Sequence, residues 1–237
     1  LLGCSLIPIT SGWVSPNLSW SGYLLPGICA GVAGFFGLTA FYAGLSTGRM
    51  GVVSPISSLC ALIPLTFAFV HGERPKVLQI VGMCVALIGA FCASGPEIAG
   101  GVSLRPIFLA LCAALGFGTA LTFMAIGSKN SSLMTMTTMR AFTVSFSLLI
   151  ALRFKTLGGF GAKELPILIF IGVTDFLANY LLGLATTKGL VSVAMVLGSL
   201  FPIVTALLAY RFLNERLHKV QYAGILLAVS GVALISF

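Results

Sequence analysis

One carboxylate in this chain stands where an ionisable group needs a reason to be. Asp175 lies near the middle of the apolar run around GVTDFLANYLLGL and is the only acid inside any such run. On insertion scales an acid at the centre of a membrane span costs at least about 2.5 kcal/mol. Asn179 follows at i+4, Gly172 precedes at i−3 and Thr186 comes further along, so one helical face is polar or small. Two chemistries suit this setting: an anchor for a substrate amine, or a proton-coupling carboxylate. The plain alternative is a structural partner of Arg140 or of a neighbouring backbone group. Arg140, inside SLMTMTTMRAFTVSFSLLIALRF, could pair with Asp175, hold a substrate carboxylate or phosphate, or snorkel to the nearer interface. The Asp175 side chain, with that of Asn179, is expected to point into a central polar cavity shared with the segments 50–71 and 190–212, and not at lipid.

Pro64 and Pro202 stand well inside two other apolar runs. A proline within a helix removes one backbone hydrogen bond and frees a carbonyl. Interruptions at corresponding places in two halves of a membrane protein point to a midplane binding site; a packing kink explains them equally well. Under the first reading the wall residues are Ser54, Ser57 and Ser58 before Pro64, Met195 and Ser199 before Pro202, and Thr119 and Thr122 at the corresponding depth of a third run. The small-residue series Gly82, Ala86, Gly89 and Gly224, Ala228, Gly231, like Gly27 and Gly31, read as close helix packing. Glu73-Arg74 and Glu215-Arg216 read as helix-end charges that set turns, with gating as the alternative, and His71 and His218 beside them as interfacial residues.

No Walker A motif, His-Glu-x2-His or Gly-x-Ser-x-Gly occurs, and the six cysteines lie in apolar runs without paired metal spacing. No metal or cofactor is expected, and the cysteines read as free, buried thiols.

These residues need apolar helices to carry them. Of the 237 residues 58% are hydrophobic and only 8% charged, with a mean hydropathy of +1.11; a soluble domain carries about 25% charge. Runs of about 20 residues are long enough to cross a hydrocarbon core. The reading is an all-α polytopic membrane protein in contact with the lipid bilayer. The net charge of +8 is spread singly through short loops, which excludes a nucleic-acid stripe and suits juxtamembrane positions. Spans are expected at about 24–46, 50–71, 76–95, 107–127, 132–153, 165–187, 190–212 and 219–237, after an apolar helix remnant at the amino end and a loop, 11–23, with Trp13, Trp20 and Tyr23.

The chain also repeats itself. Residues 42–94 and 180–236 share an order of landmarks: Gly44-Leu45 with Gly183-Leu184, Arg49 with Lys188, Pro64 with Pro202, Glu73-Arg74 with Glu215-Arg216, Gln79 with Gln221, Gly82 with Gly224 and Gly89 with Gly231. The second copy carries about one extra helical turn between Pro202 and Glu215. The expected organisation is a first copy at 1–95, a hinge at 96–106 and a second copy at 107–237. Equal copies would have five helices each, so about one and a half helices are expected to be missing at the amino end, with Leu1 inside a helix. An odd number of helices per copy inserts the second copy upside down relative to the first.

The repeated proline, Glu-Arg loop and glycine-spaced last helix resemble the EamA-type families of the drug/metabolite transporter superfamily, over essentially the whole chain. The resemblance implies a ten-helix fold of two inverted five-helix repeats around a substrate cavity. It also implies export or exchange of amino acids, nucleosides, sugars, phosphorylated metabolites or drugs. The expected function is therefore secondary active transport of a small molecule by alternating access, with a proton as candidate coupling ion, in a bacterial inner (plasma) membrane. The alternatives are a non-transporting scaffold or sensor, for which matched prolines and a midplane acid have no use, and an intramembrane enzyme, for which one carboxylate without nucleophile or metal is poor equipment. Orientation divides the arguments. Arg74, Lys76, Lys129 and Lys188 fall on one side, and Arg49, Arg105, Arg153, Lys155, Lys163, Arg211, Arg216 and Lys219 on the other. The positive-inside rule makes the second side cytoplasmic; the resemblance, with both termini cytoplasmic, implies the first.

Overall fold

In hydrocarbon a backbone amide finds partners only within the chain, so apolar runs of this length fold as helices. The computed structural model describes residues 19–47, 50–94, 104–154, 164–212 and 218–236, and every regular element among them is helical. A π-helical turn, Trp20–Leu24, leads into α1 (Leu25–Thr47). There follow α2 (Met50–Ser58), a 3-10 turn (Leu59–Ala61), α3 (Leu62–Val70), α4 (Val77–Ala93), α5 (Leu104–Phe154), α6 (Leu165–Lys188), α7 (Val191–Gly198), α8 (Phe201–Phe212) and α9 (Lys219–Ile235). Trp20–Ser46, Val52–Val70, Leu104–Arg153 and Leu165–Lys188 are long and apolar enough to cross a bilayer. The chain is an integral membrane protein. The expected amino-terminal remnant with Leu1 and Trp13, the hinge 96–106 up to residue 103, and Glu215-Arg216 lie outside the described residues.

The 51 residues of α5 are two helices. Ser131 has extended backbone, φ −158° and ψ 112°. A Cβ placed on Gly127 would lie 2.6 Å from the Thr135 side chain, whereas eight residues of unbroken helix would separate the two by about 12 Å. The chain therefore doubles back at a single residue, with arms 104–130 and 132–154. The Ser131 Oγ accepts from the Met134 N–H at 3.3 Å and caps the second arm. The sequence suggests a short loop after residue 127; the helix in fact continues to the turn itself.

Both proline-bearing spans are interrupted, but ahead of their prolines. The 3-10 turn Leu59–Ala61 separates α2 from α3, making Pro64 the third residue of α3. A turn at Ser199–Leu200 separates α7 from α8, making Pro202 the second residue of α8. In a first turn the missing proline N–H has no intrahelical partner to lose. The disturbance is displaced toward the carbonyl four residues upstream, which proline cannot satisfy. Pro55 also sits inside α2.

The chain divides into two compact units. The first contains the start of α1, residues 123–154 of α5, and α6. Here Gly27 lies against Thr135 and Thr138, and Gly31 against Met139 and Phe142, so α1 packs closely on the second arm of α5. Met124, Met134, Met136 and Met139 are buried. A Cβ on Gly183 of α6 would meet the Ser128 Oγ at 2.7 Å.

The second unit contains residues 34–122 and 189–237. Its centre is an antiparallel contact between α4 and α9 in which the backbones nearly touch. A Cβ on Gly82 would lie 2.8 Å from the Gly231 carbonyl and 2.9 Å from Ile235, and one on Gly89 would meet Ala228. Gly224 lies against Cys92 and Ala93, and Gly231 against Ala86. Each contact has a counterpart with the roles of the helices exchanged: Gly89–Ala228 answers Gly231–Ala86, and Gly82–Ile235 answers Gly224–Ala93. Both helices start alike, the Gln79 Oε1 accepting from the Lys76 N–H at 3.0 Å and the Gln221 Oε1 from the His218 N–H at 2.8 Å. Ala61, Met83, Ala86, Leu87, Val196 and Ile235 form the core beside this seam.

Candidate functional site

Asp175 is carried by the middle of α6, a helix whose buried positions Phe176, Gly183 and Thr186 lie on one face. Asp175 flanks that face and its side chain is 47% exposed. Arg140 reaches it from the second arm of α5: the Arg140 Nη2 donates to the Asp175 Oδ2. The Asn179 Nδ2, one turn further along α6, donates to the Asp175 Oδ1 at 3.1 Å and to the Asp175 carbonyl at 2.8 Å. Each carboxylate oxygen thus has a donor. The arginine is less well served. Its side chain is only 14% exposed, and its Nε is buried without a hydrogen-bond partner among the described residues. The first unit therefore brings Arg140, Asp175 and Asn179 into one polar cluster on apolar helices.

The remaining candidates belong to the second unit. Ser57 and Ser58 are buried, and their hydroxyls donate to their own helix, to the Val53 carbonyl and the Pro55 carbonyl, both at 2.7 Å. The Thr122 Oγ1 donates to the Gly118 carbonyl at 2.8 Å and the Ser199 Oγ to the Val196 carbonyl at 2.7 Å. These hydroxyl protons are engaged by backbone, so a ligand would meet oxygen acceptors rather than donors. Met195 is fully buried, Ser54 and Thr119 are half-buried. Pro64 is buried in the first turn of α3. No group of three or more His, Cys, Asp or Glu that could hold a metal occurs among the described residues.

Sequence reasoning missed what Glu73 does. The chain leaves α3 through Gly72, whose φ of +90° favours glycine. The Gly72 N–H bonds the Phe69 carbonyl at 3.1 Å and the Glu73 N–H the Ala68 carbonyl at 3.0 Å, the Schellman pattern. This delivers Glu73 to the start of α7. The Glu73 Oε1 accepts from the Val191 N–H at 2.7 Å; its Oε2 accepts from the Ser192 N–H at 3.0 Å and the Ser192 hydroxyl at 2.7 Å. A carboxylate satisfying orphan amides at a helix start also complements the helix dipole. One signal was present in the sequence. The residue before α7 is Leu190, which has no side-chain acceptor and cannot cap.

The family model of the EamA-like transporter family matches residues 1–95 and 104–237. The chain belongs to the EamA-like transporter family. As an EamA-like protein it is a membrane transporter of the drug/metabolite transporter superfamily, with a small-molecule substrate and a lipid environment. An uncharacterised protein of Methanocaldococcus jannaschii is 29% identical over 130 residues, which span 55% of this chain and 95% of the relative. A solved crystal structure superposes with a TM-score of 0.81 at 16% identity, over 100% of this chain and 84% of the other. At that identity the likeness concerns the fold alone.

Proposed function

We propose that this EamA-like protein is a secondary active carrier that exports or exchanges a small metabolite or drug by alternating access. In this reading it is built from two inverted repeats, 1–95 and 107–237, joined by the hinge 96–106, and works in a bacterial inner membrane. The observation that carries the reading is the Arg140–Asp175–Asn179 cluster: a half-exposed carboxylate in mid-span is tolerable facing water or substrate, and costly facing lipid. Asp175 is the proton-coupling or amine-anchoring group, Arg140 its counter-charge, and Asn179 orients the carboxylate. Ser54, Ser57, Ser58, Thr119, Thr122, Met195 and Ser199 are proposed wall residues, and the turns ahead of Pro64 and Pro202 the matched interruptions. Two findings support the repeat. The α4–α9 contacts are reciprocal under exchange of the copies, and the archaeal relative is nearly spanned by a match about as long as one copy.

The test is uptake into proteoliposomes of a panel of radiolabelled amino acids, nucleosides and cationic drugs, with and without a pH gradient. Asp175→Asn should abolish pH-driven accumulation while leaving exchange of substrate partly intact. Wild-type transport by Asp175→Asn across the pH range would end the coupling role.

A further inference from the structure

The Glu73 contact joins residues more than a hundred positions apart and holds one end of a short helix. α7 has only 8 residues, about 12 Å of helix. Before it, a Cβ on Gly189 would meet nothing within 4 Å, and Leu190 contributes no side-chain cap. After it, the chain turns at Ser199–Leu200 before restarting as α8 at Phe201. One end of α7 is therefore a break in the helix. At the other, the first two amides are gripped by a carboxylate from a distant turn. Its inner face is closed: Ser192, Met195 and Val196 are 0% exposed and Ser199 2%.

We propose that Glu73 is a latch. While its carboxylate holds Val191 and Ser192, α7 seals the second unit from the membrane side that carries the 71–76 turn. The transport cycle releases the latch, and α7 swings on the Ser199–Leu200 turn. The chemistry suits a reversible fastening. Charge-assisted hydrogen bonds to two amides and a hydroxyl are strong enough to fix a helix end. They form at a turn between spans, where water can replace each partner when the latch opens. A dry apolar contact offers no such replacement.

The proposal rests on the carrier reading, but its test needs no substrate, so failure of one is distinguishable from failure of the other. The probe is a membrane-impermeant thiosulfonate reagent applied to the full-length chain in sealed vesicles of either orientation. Labelling of Ser199→Cys is located by mass spectrometry, and Arg74→Cys reports which side carries the 71–76 turn. Adding Glu73→Gln should raise labelling at position 199 from that side at least about tenfold, the factor expected from losing one charge-assisted hydrogen bond. Labelling from the opposite side should not rise. An unchanged rate, or an equal rise from both sides, overturns the latch. Where Glu73→Gln does not fold, Glu73→Cys with Ser192→Cys, bridged by a short bifunctional thiosulfonate, takes its place. Bridged protein should label at position 199 at least about tenfold more slowly than the reduced protein, and equal rates overturn the proposal.

Discussion

Arg140 and Asp175 hold each other, and the strength of that hold separates a coupling role from a structural one. Removing one partner of a fully buried pair costs about 3–5 kcal/mol; Asp175→Asn would leave Arg140, only 14% exposed, as the unpaired charge. If the pair is chiefly structural, Asp175→Asn should lower folded yield, and Asp175→Arg with Arg140→Asp should restore part of it, read by size-exclusion recovery. If Asp175 couples transport, yield should stay near wild type while pH-driven accumulation is lost. Asp175 could be singled out in the sequence because an acid in an apolar run breaks the pattern, and Asn179 because i+4 shares its face. The partner choice of Arg140 could not, since snorkelling and pairing demand the same residue type. The direction of the serine and threonine hydroxyls was also illegible. A buried hydroxyl serves its own helix or a neighbour according to rotamer, which composition does not record.

Among the elements, the α4–α9 seam depends on missing side chains. Gly231→Ala would set a Cβ 2.5 Å from the Ala86 amide nitrogen, and overpacking of this kind costs about 1–3 kcal/mol. Thermal unfolding in detergent should show it as a lowered midpoint. Gly189→Ala, with open space around it, should leave the midpoint unchanged or raise it slightly. At the start of α7, Leu190 has the extended backbone of an N-cap, φ −67° and ψ 128°. Leu190→Ser in a Glu73→Gln background should therefore regain about 1 kcal/mol of stability. Labelling at position 199 should stay raised, because a local cap does not tie α7 to the 71–76 turn. Helix positions were legible because length and hydropathy decide them in a bilayer. The breaks were displaced because a proline acts on the carbonyl four residues before it. The Glu73 grip was hidden because it joins two turns far apart in the chain, with an uncapped Leu190 as its sole trace.

At the scale of the whole molecule, the antiparallel seam places the starts of α4 and α9 at opposite ends of the second unit. His71→Cys and His218→Cys should accordingly label from opposite faces of the membrane, each from one face only. The face on which His71 appears also chooses between the loop-charge rule and the family expectation for orientation. Labelling of both from one face would remove the inverted arrangement. The doubling of α5 at Ser131 bears on how such a chain is made. Two spans separated by one residue leave no hydrophilic segment to be threaded across on its own. With the tip on the side away from the cytoplasm, Lys129 and Asn130, both exposed there, would pass the hydrocarbon with it. The two arms should then leave the insertion machinery together, as a preformed hairpin, with neither resting first as a lone span.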